Sequence, residues 1–298
     1  MLKKEYLNAD NTIEELLNYP SIKEFSKFIL PLELGYNPSS KLKDIDYLLP
    51  YHSNIKVKTT LNSINYIINE SEKGEKIFYK IYSDKEINLD KSKENTGIFF
   101  FKGNKNAPFA IISAGGGFLY VGSIHEGFPY AIELNKMGYN AFVLQYRVGD
   151  GRKAIQDLAR AILYTIENKD LFEIDINNYS LWGSSAGARM VAAIGSREFI
   201  SLERKNYLKP NTLVMLYTGL TTFSLNDPPT FMVVGEKDNI ANPKVVENRA
   251  NEMKKANLKV EFHKYKNVGH GFGLGIDTSA ENWIGSAEKF WREQRDKN

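Results

Sequence analysis

With 298 residues, 42% of them hydrophobic and 25% charged, the chain has the composition of a folded globular protein and the length for one large α/β core. Its 39 basic and 36 acidic residues leave a net charge of +3 without a clustered basic stripe, which excludes nucleic acid as the expected partner. There is no cysteine, so disulfide scaffolds, zinc–thiolate sites and cysteine nucleophiles are excluded.

The N-terminus carries Lys3 and Lys4 but no following apolar run, and no later stretch has the length of a membrane span; a cytoplasmic protein without membrane contact is expected. Residues 1–75 read as a helical arm. Thr12 and Glu15 have the spacing of a capping box ahead of Ile13, Leu16 and Leu17. Pro20 breaks that pattern and opens a second helix through Phe25, Phe28 and Ile29, ended by Pro31. A third is expected from Thr60, with Leu61, Ile64, Ile67 and Ile68 on one side and Gly74 as its stop. Two roles suit such an arm: a lid that narrows a pocket, or a packing arm that also offers a homo-oligomer contact.

From Ile77 short β-rich runs alternate with helical patterns, the signature of a mostly parallel sheet covered on both faces. Eight strands are expected, at 77–82, 97–101, 109–113, 141–146, 179–182, 213–217, 231–234 and 260–265. Helices are expected at 128–137, 152–167, 186–196, 244–256 and 280–295. The first strands are joined by polar segments, which predicts an antiparallel edge.

Gly183-Ser184-Ser185-Ala186-Gly187 lies between an expected strand and an expected helix, the context of a G-x-S-x-G nucleophile elbow. The glycines permit a sharp turn that lifts Ser185 off the sheet at the positive end of the next helix. A serine hydroxyl needs a base. Of the four histidines, His270 sits in a glycine-flanked loop after the last strand, whereas His263 alternates within that strand and His52 and His125 precede the nucleophile. Asp238, just beyond strand 231–234, is the expected acid partner, with Glu236 as its rival. The glycine run Gly115-Gly116-Gly117 after strand 109–113 brings backbone N–H groups close to a bound carbonyl, and Ala186 contributes another. His125 and Glu126 either line the pocket or cap the helix from Phe128, Tyr217 is a pocket candidate at a strand end, and Arg147 with Asp157 suggests an ion pair.

Together the glycine loop, the elbow, Asp238 and the His270 loop resemble the α/β-hydrolase superfamily, in particular its acetyl-esterase and carbohydrate-esterase branch, over residues 77–295. The resemblance implies an α/β-hydrolase fold for residues 76–298, with Ser185 as nucleophile, His270 as general base and Asp238 as orienting acid. It further implies Gly116, Gly117 and Ala186 as oxyanion donors, and a small-molecule ester, short-acyl or an acetylated carbohydrate, as substrate. No metal or organic cofactor is expected, since the four histidines show no paired ligand spacing. A peptidase or amidase of the same fold, and a non-catalytic binding module on a hydrolase scaffold, are the competing readings.

Overall fold

The computed structural model describes residues 6–196 and 209–296; the first five residues of the expected arm, including Lys3 and Lys4, lie outside them. The sheet forms where the sequence is β-branched and aromatic. Its strands are β1 (Phe78–Tyr79), β2 (Gly97–Phe101), β3 (Ala107–Ser113), β4 (Asn140–Gln145), β5 (Ile174–Ser184), β6 (Thr212–Leu216), β7 (Thr230–Gly235) and β8 (Val260–Tyr265). Their order is β1-β2-β4-β3-β5-β6-β7-β8. β1, β2 and β4 pair antiparallel, and every pairing from β4 through β3 to β8 is parallel. Every residue of β2, β4, β6 and β7 is buried, as expected for strands covered on both faces.

The connections from β3 to β4, β4 to β5, β5 to β6 and β7 to β8 each run through a helix, whereas residues 217–229 between β6 and β7 form loops and turns. In chain order the helices are α1 (Ile13–Leu17), α2 (Val57–Glu72), α3 (Asp84–Leu89), α4 (Ser123–Glu126), α5 (Phe128–Lys136), α6 (Gly151–Glu167), α7 (Lys169–Phe172), α8 (Ala186–Gly195), α9 (Pro243–Lys255) and α10 (Trp283–Arg295). In α6, Ala154, Leu158, Ala161 and Ile162 recur at helical spacing and are buried, and the Asp150 carboxylate caps its first turn. The chain leaves β3 for β4 on one side and returns through α6 to β5 on the other. The crevice beyond the carboxyl ends of β3 and β5 is thus the topological switch point, where open α/β sheets hold ligands.

The expected strands 97–101 and 260–265 match β2 and β8, and the antiparallel edge is present. Three expectations fail. The strand expected at 77–82 is reduced to two residues, and its link to β2 is not a plain polar segment but holds α3, where Ser83 and Glu86 form a reciprocal capping box. The helix expected between Pro20 and Pro31 is a series of turns with one 3₁₀ turn at Ser26–Phe28. There the Ser26 hydroxyl donates to the Leu17 and Lys23 carbonyls, which favours local turns over a helical ladder in a segment bounded by two prolines. By contrast, the Thr12–Glu15 capping box is present, and the third arm helix, α2, buries Ile64, Ile67 and Ile68.

The arm joins the rest through one continuous core: Ile13, Leu16, Ile22, Leu42, Ile64 and Ile67 pack in the same apolar cluster as β2, β4 and α5. Arg147, just beyond β4, pairs with buried Asp157 through its Nε and Nη2, and its Nη1 reaches Asp90 at 2.9 Å. This is the structural ion pair the sequence suggests. Among the described residues no helix is long and apolar enough to cross a membrane.

Candidate active site

β5 ends at Ser184 and α8 begins at Ala186, so Ser185 alone makes the turn between them. It does so at φ 50°, ψ −111°, a strained conformation for a residue with a side chain. Both motif glycines are required by close backbone approach. A Cβ on Gly183 would overlap the Gly187 carbonyl, and one on Gly187 would overlap the Ser113 carbonyl oxygen at the end of β3.

Ser185 Oγ lies 3.0 Å from His270 Nε2, and His270 Nδ1 lies 2.8 Å from Asp238 Oδ2. An ionised carboxylate only accepts, so Nδ1 carries the ring hydrogen and Nε2 presents its lone pair to the serine. Asp238 is itself held: its Oδ1 accepts the N–H groups of Ile240 and Ala241 at 2.9 and 2.7 Å. Glu236, the rival acid, is exposed and among the described residues its side chain accepts only the Asn267 N–H. His263 pairs with Glu261 on the half-open edge strand, away from this chain of bonds.

After β3 the backbone turns through Gly116 at φ 134° and Gly117 at φ 63°. The Gly115 N–H donates to buried Glu126, whereas the N–H groups of Gly116, Gly117 and Ala186 meet no backbone or side-chain acceptor among the described residues. Gly115 packs against Ser185, since an added Cβ would lie 3.0 Å from Ser185 Cβ. The glycine loop, the elbow and the His270 loop thus converge on the switch point. A cleft of about 270 Å³ opens beside them, lined by Ser185, Arg189, Tyr217, Thr218 and His270 together with residues of the 240–245 turn.

Behind the glycine loop lies a group whose role is not evident from the sequence. Glu126 is fully buried and neither lines the cleft nor caps α5, whose N-cap is Gly127. Its Oε2 accepts from Gly115 N–H at 2.8 Å and faces His52 Nε2 at 3.2 Å; its Oε1 accepts from the Tyr217 hydroxyl at 2.5 Å. The Tyr217 ring in turn packs edge-on to His270, 5.0 Å between centroids. Burial alone would raise the Glu126 pKa, but the His52 imidazole, the Tyr217 hydroxyl and His125 together hold it down to about 2.

His52 comes from the arm, and so does more of the support. Ser53 Oγ donates to the His270 carbonyl at 2.6 Å, and Ser53 N–H donates to the Gly271 carbonyl. The Tyr120 hydroxyl meets both Tyr51 N–H and His52 Nδ1.

His125, also buried, reaches the Gly271 carbonyl through Nε2. Burial, aided by the nearby His52, pushes its pKa down to about 4. In the unfolded chain that imidazole takes a proton near pH 6.5, about where a free histidine titrates. Between those values the unfolded state binds a proton that the folded state refuses, so stability falls as pH drops through this window. Urea unfolding is expected to lose about 2 kcal/mol between about pH 7 and pH 5 from this residue, and His125→Gln should lose that share of the slope. An equal slope in the variant would refute the assignment.

The site can now be set beside known proteins. A family model described as BD-FAE matches residues 98–212, and one for the dienelactone hydrolase family matches residues 222–296. Among curated proteins, endo-1,4-beta-xylanase B of Butyrivibrio fibrisolvens is 23% identical over 219 residues, 59% of this chain and 34% of its own. The acetylxylan esterase of Xylanibacter ruminicola is 23% identical over 133 residues, 44% of this chain and 26% of its own. The chain therefore spans only about a third or less of the lengths of these relatives.

Many solved structures are similar, three of which follow. An acetyl ester-xyloside bifunctional hydrolase from Caldicellulosiruptor lactoaceticus has a TM-score of 0.65 at 23% identity, covering 72% of this chain and 95% of that one. The α/β-hydrolase enzyme MGS-M1 from a deep-sea metagenome gives 0.59 at 21%, covering 67% and 93%. A thermophilic esterase of Thermogutta terrifontis gives 0.58 at 17%, covering 66% and 89%. The chain has the α/β-hydrolase fold.

Proposed function

We propose that this α/β-hydrolase-fold protein hydrolyses small carboxylic esters through an acyl-enzyme on Ser185. The observation that carries the reading is the unbroken chain of hydrogen bonds from Ser185 through His270 to Asp238 at the edge of an open cleft. Ser185 Oγ attacks the ester carbonyl as its proton passes to His270 Nε2. The carbonyl oxygen, now an oxyanion, lies against the free N–H groups of Gly116, Gly117 and Ala186, at the positive end of α8.

Collapse of this intermediate breaks the bond to the alcohol, which leaves with the proton from His270. Water then attacks the acyl-enzyme with His270 again as base, and the acid is released. Asp238 keeps the imidazole in the tautomer this requires and offsets the positive charge it carries in transit.

The finer assignment, to acetyl groups on carbohydrate, draws on relatives named as an acetylxylan esterase and an acetyl ester-xyloside hydrolase. The test is turnover of p-nitrophenyl acetate and of acetylated xylo-oligosaccharides beside an aminoacyl-nitroanilide, with fluorophosphonate labelling of the protein. Ester cleavage together with labelling at Ser185 supports the reading. Preferential cleavage of the anilide, or no labelling, overturns it.

A further inference from the structure

The cleft beside Ser185 holds a cation that the proposed ester hydrolysis does not use. Arg189 lies on α8 four residues after the nucleophile, so its side chain leaves the same face of the helix one turn on. Among the described residues it has no ion pair and no side-chain hydrogen bond, unlike Arg147, Arg160 and Arg249, each of which is engaged by a carboxylate. Among the described residues no carboxylate lines the cleft, and Arg189 is the one Lys or Arg that does. A second group points the same way. Thr218 lines the cleft and is 3% exposed, yet its Oγ1 is buried with no hydrogen-bond partner. An orphaned buried hydroxyl is costly unless something bound there satisfies it.

We propose that Arg189 and Thr218 form an anion subsite, and that the ester this protein takes carries a carboxylate. The inference rests on the ester-hydrolase reading above and adds the substrate class to it. A guanidinium matches a carboxylate edge to edge through two parallel N–H···O bonds, and a hydroxyl donates to either oxygen. Cβ atoms four residues apart on a helix are about 5–6 Å apart, and the arginine stem reaches further. The carboxylate therefore sits some four to five bonds from the scissile carbonyl, on either the acyl or the alcohol half. An acetate or butyrate ester of a neutral alcohol leaves the subsite empty.

Two matched pairs of esters test this and separate the halves. On the acyl side, monomethyl adipate is compared with methyl hexanoate; on the alcohol side, 3-acetoxybenzoate is compared with 3-acetoxybenzamide. In one pair the anionic member is expected to have a kcat/KM about ten- to a hundredfold above its neutral partner, the usual range for a hydrogen bond to a charged group. The ratio should fall towards one in Arg189→Gln, fall below one in Arg189→Glu and be partly retained in Arg189→Lys. In the wild-type protein it should shrink as salt is added, because Arg189 is exposed to solvent. Ratios near one in both pairs, or a preference unmoved by Arg189→Gln and by salt, overturn the inference while leaving ester hydrolysis intact. If no ester is cleaved at all, both readings fall.

Discussion

Ser185→Ala is expected to lower kcat on any ester substrate by roughly 10⁴- to 10⁶-fold while leaving the fold in place. The removed oxygen has one side-chain partner, His270 Nε2, and no role in the core. Thermal unfolding should therefore shift little, and fluorophosphonate labelling should vanish. The backbone gives a second signature. Ser185 is held at φ 50°, ψ −111°, which alanine tolerates no better than serine. Glycine adopts positive φ freely, so Ser185→Gly should be as inactive yet more stable than Ser185→Ala by about 1 kcal/mol. Activity surviving in Ser185→Ala would remove the serine from the mechanism. Equal stability of the two variants would remove the strain.

Glu126→Gln is expected to have the largest effect on stability, about 3–5 kcal/mol, because it breaks a buried charged cluster by taking one partner. Three donors converge on this carboxylate: Gly115 N–H, Tyr217 OH and the His52 imidazole. A carboxamide keeps the shape but has one acceptor atom and must turn an NH₂ towards groups that are themselves donors. The loss should reach the chemistry too. Glu126 fixes Gly115 beside Ser185 with one oxygen, and with the other the tyrosine packed on His270. A fall in kcat with KM nearly unchanged is the expected pattern in whatever fraction stays folded, since a positioning defect weakens the transition state more than substrate binding. Combining Glu126→Gln with His52→Gln should cost less than the sum of the two, because each single change strands its partner. Strict additivity would mean the two groups do not interact.

The sheet was legible where residues are buried on both faces. The near-continuous apolar runs of β2, β4, β6 and β7 stand out against polar flanks, and their ends fall within a residue or two of the pattern. β5 was underestimated because Asp175 to Asn178 in its first half are half-exposed or exposed and mostly polar, so hydrophobicity does not mark it. Ser185, Asp238 and His270 were readable because each follows a strand in a loop with glycine or turn residues. Their hydrogen bonds could not be read, since they join positions 85 and 32 residues apart.

Glu126, His52 and Ser53 were the harder cases. His52 precedes the nucleophile, which rules it out as base in this fold, and nothing local distinguishes a histidine that supports a site from one on a surface. The one available signal was a charged residue inside a glycine-rich apolar segment, at Glu126. It reads equally well as a helix cap, and only the tertiary fold separates the two.

Ser53 and His270 are joined by a hydrogen bond across 217 residues of sequence, and His125 meets the Gly271 carbonyl across 146. Closing loops of that size is slow, because the entropy of bringing the ends together is lost before the contact rewards it. Most of the helical and parallel-strand structure can form through nearer neighbours, so the cluster of Ser185, His270 and Asp238 is expected to be the last part of the molecule to assemble. Refolding from urea should regain far-ultraviolet ellipticity before it regains labelling by fluorophosphonate, with the delay lengthened in Ser53→Ala. Simultaneous recovery of both signals would show instead that these distant segments meet early and guide the chain.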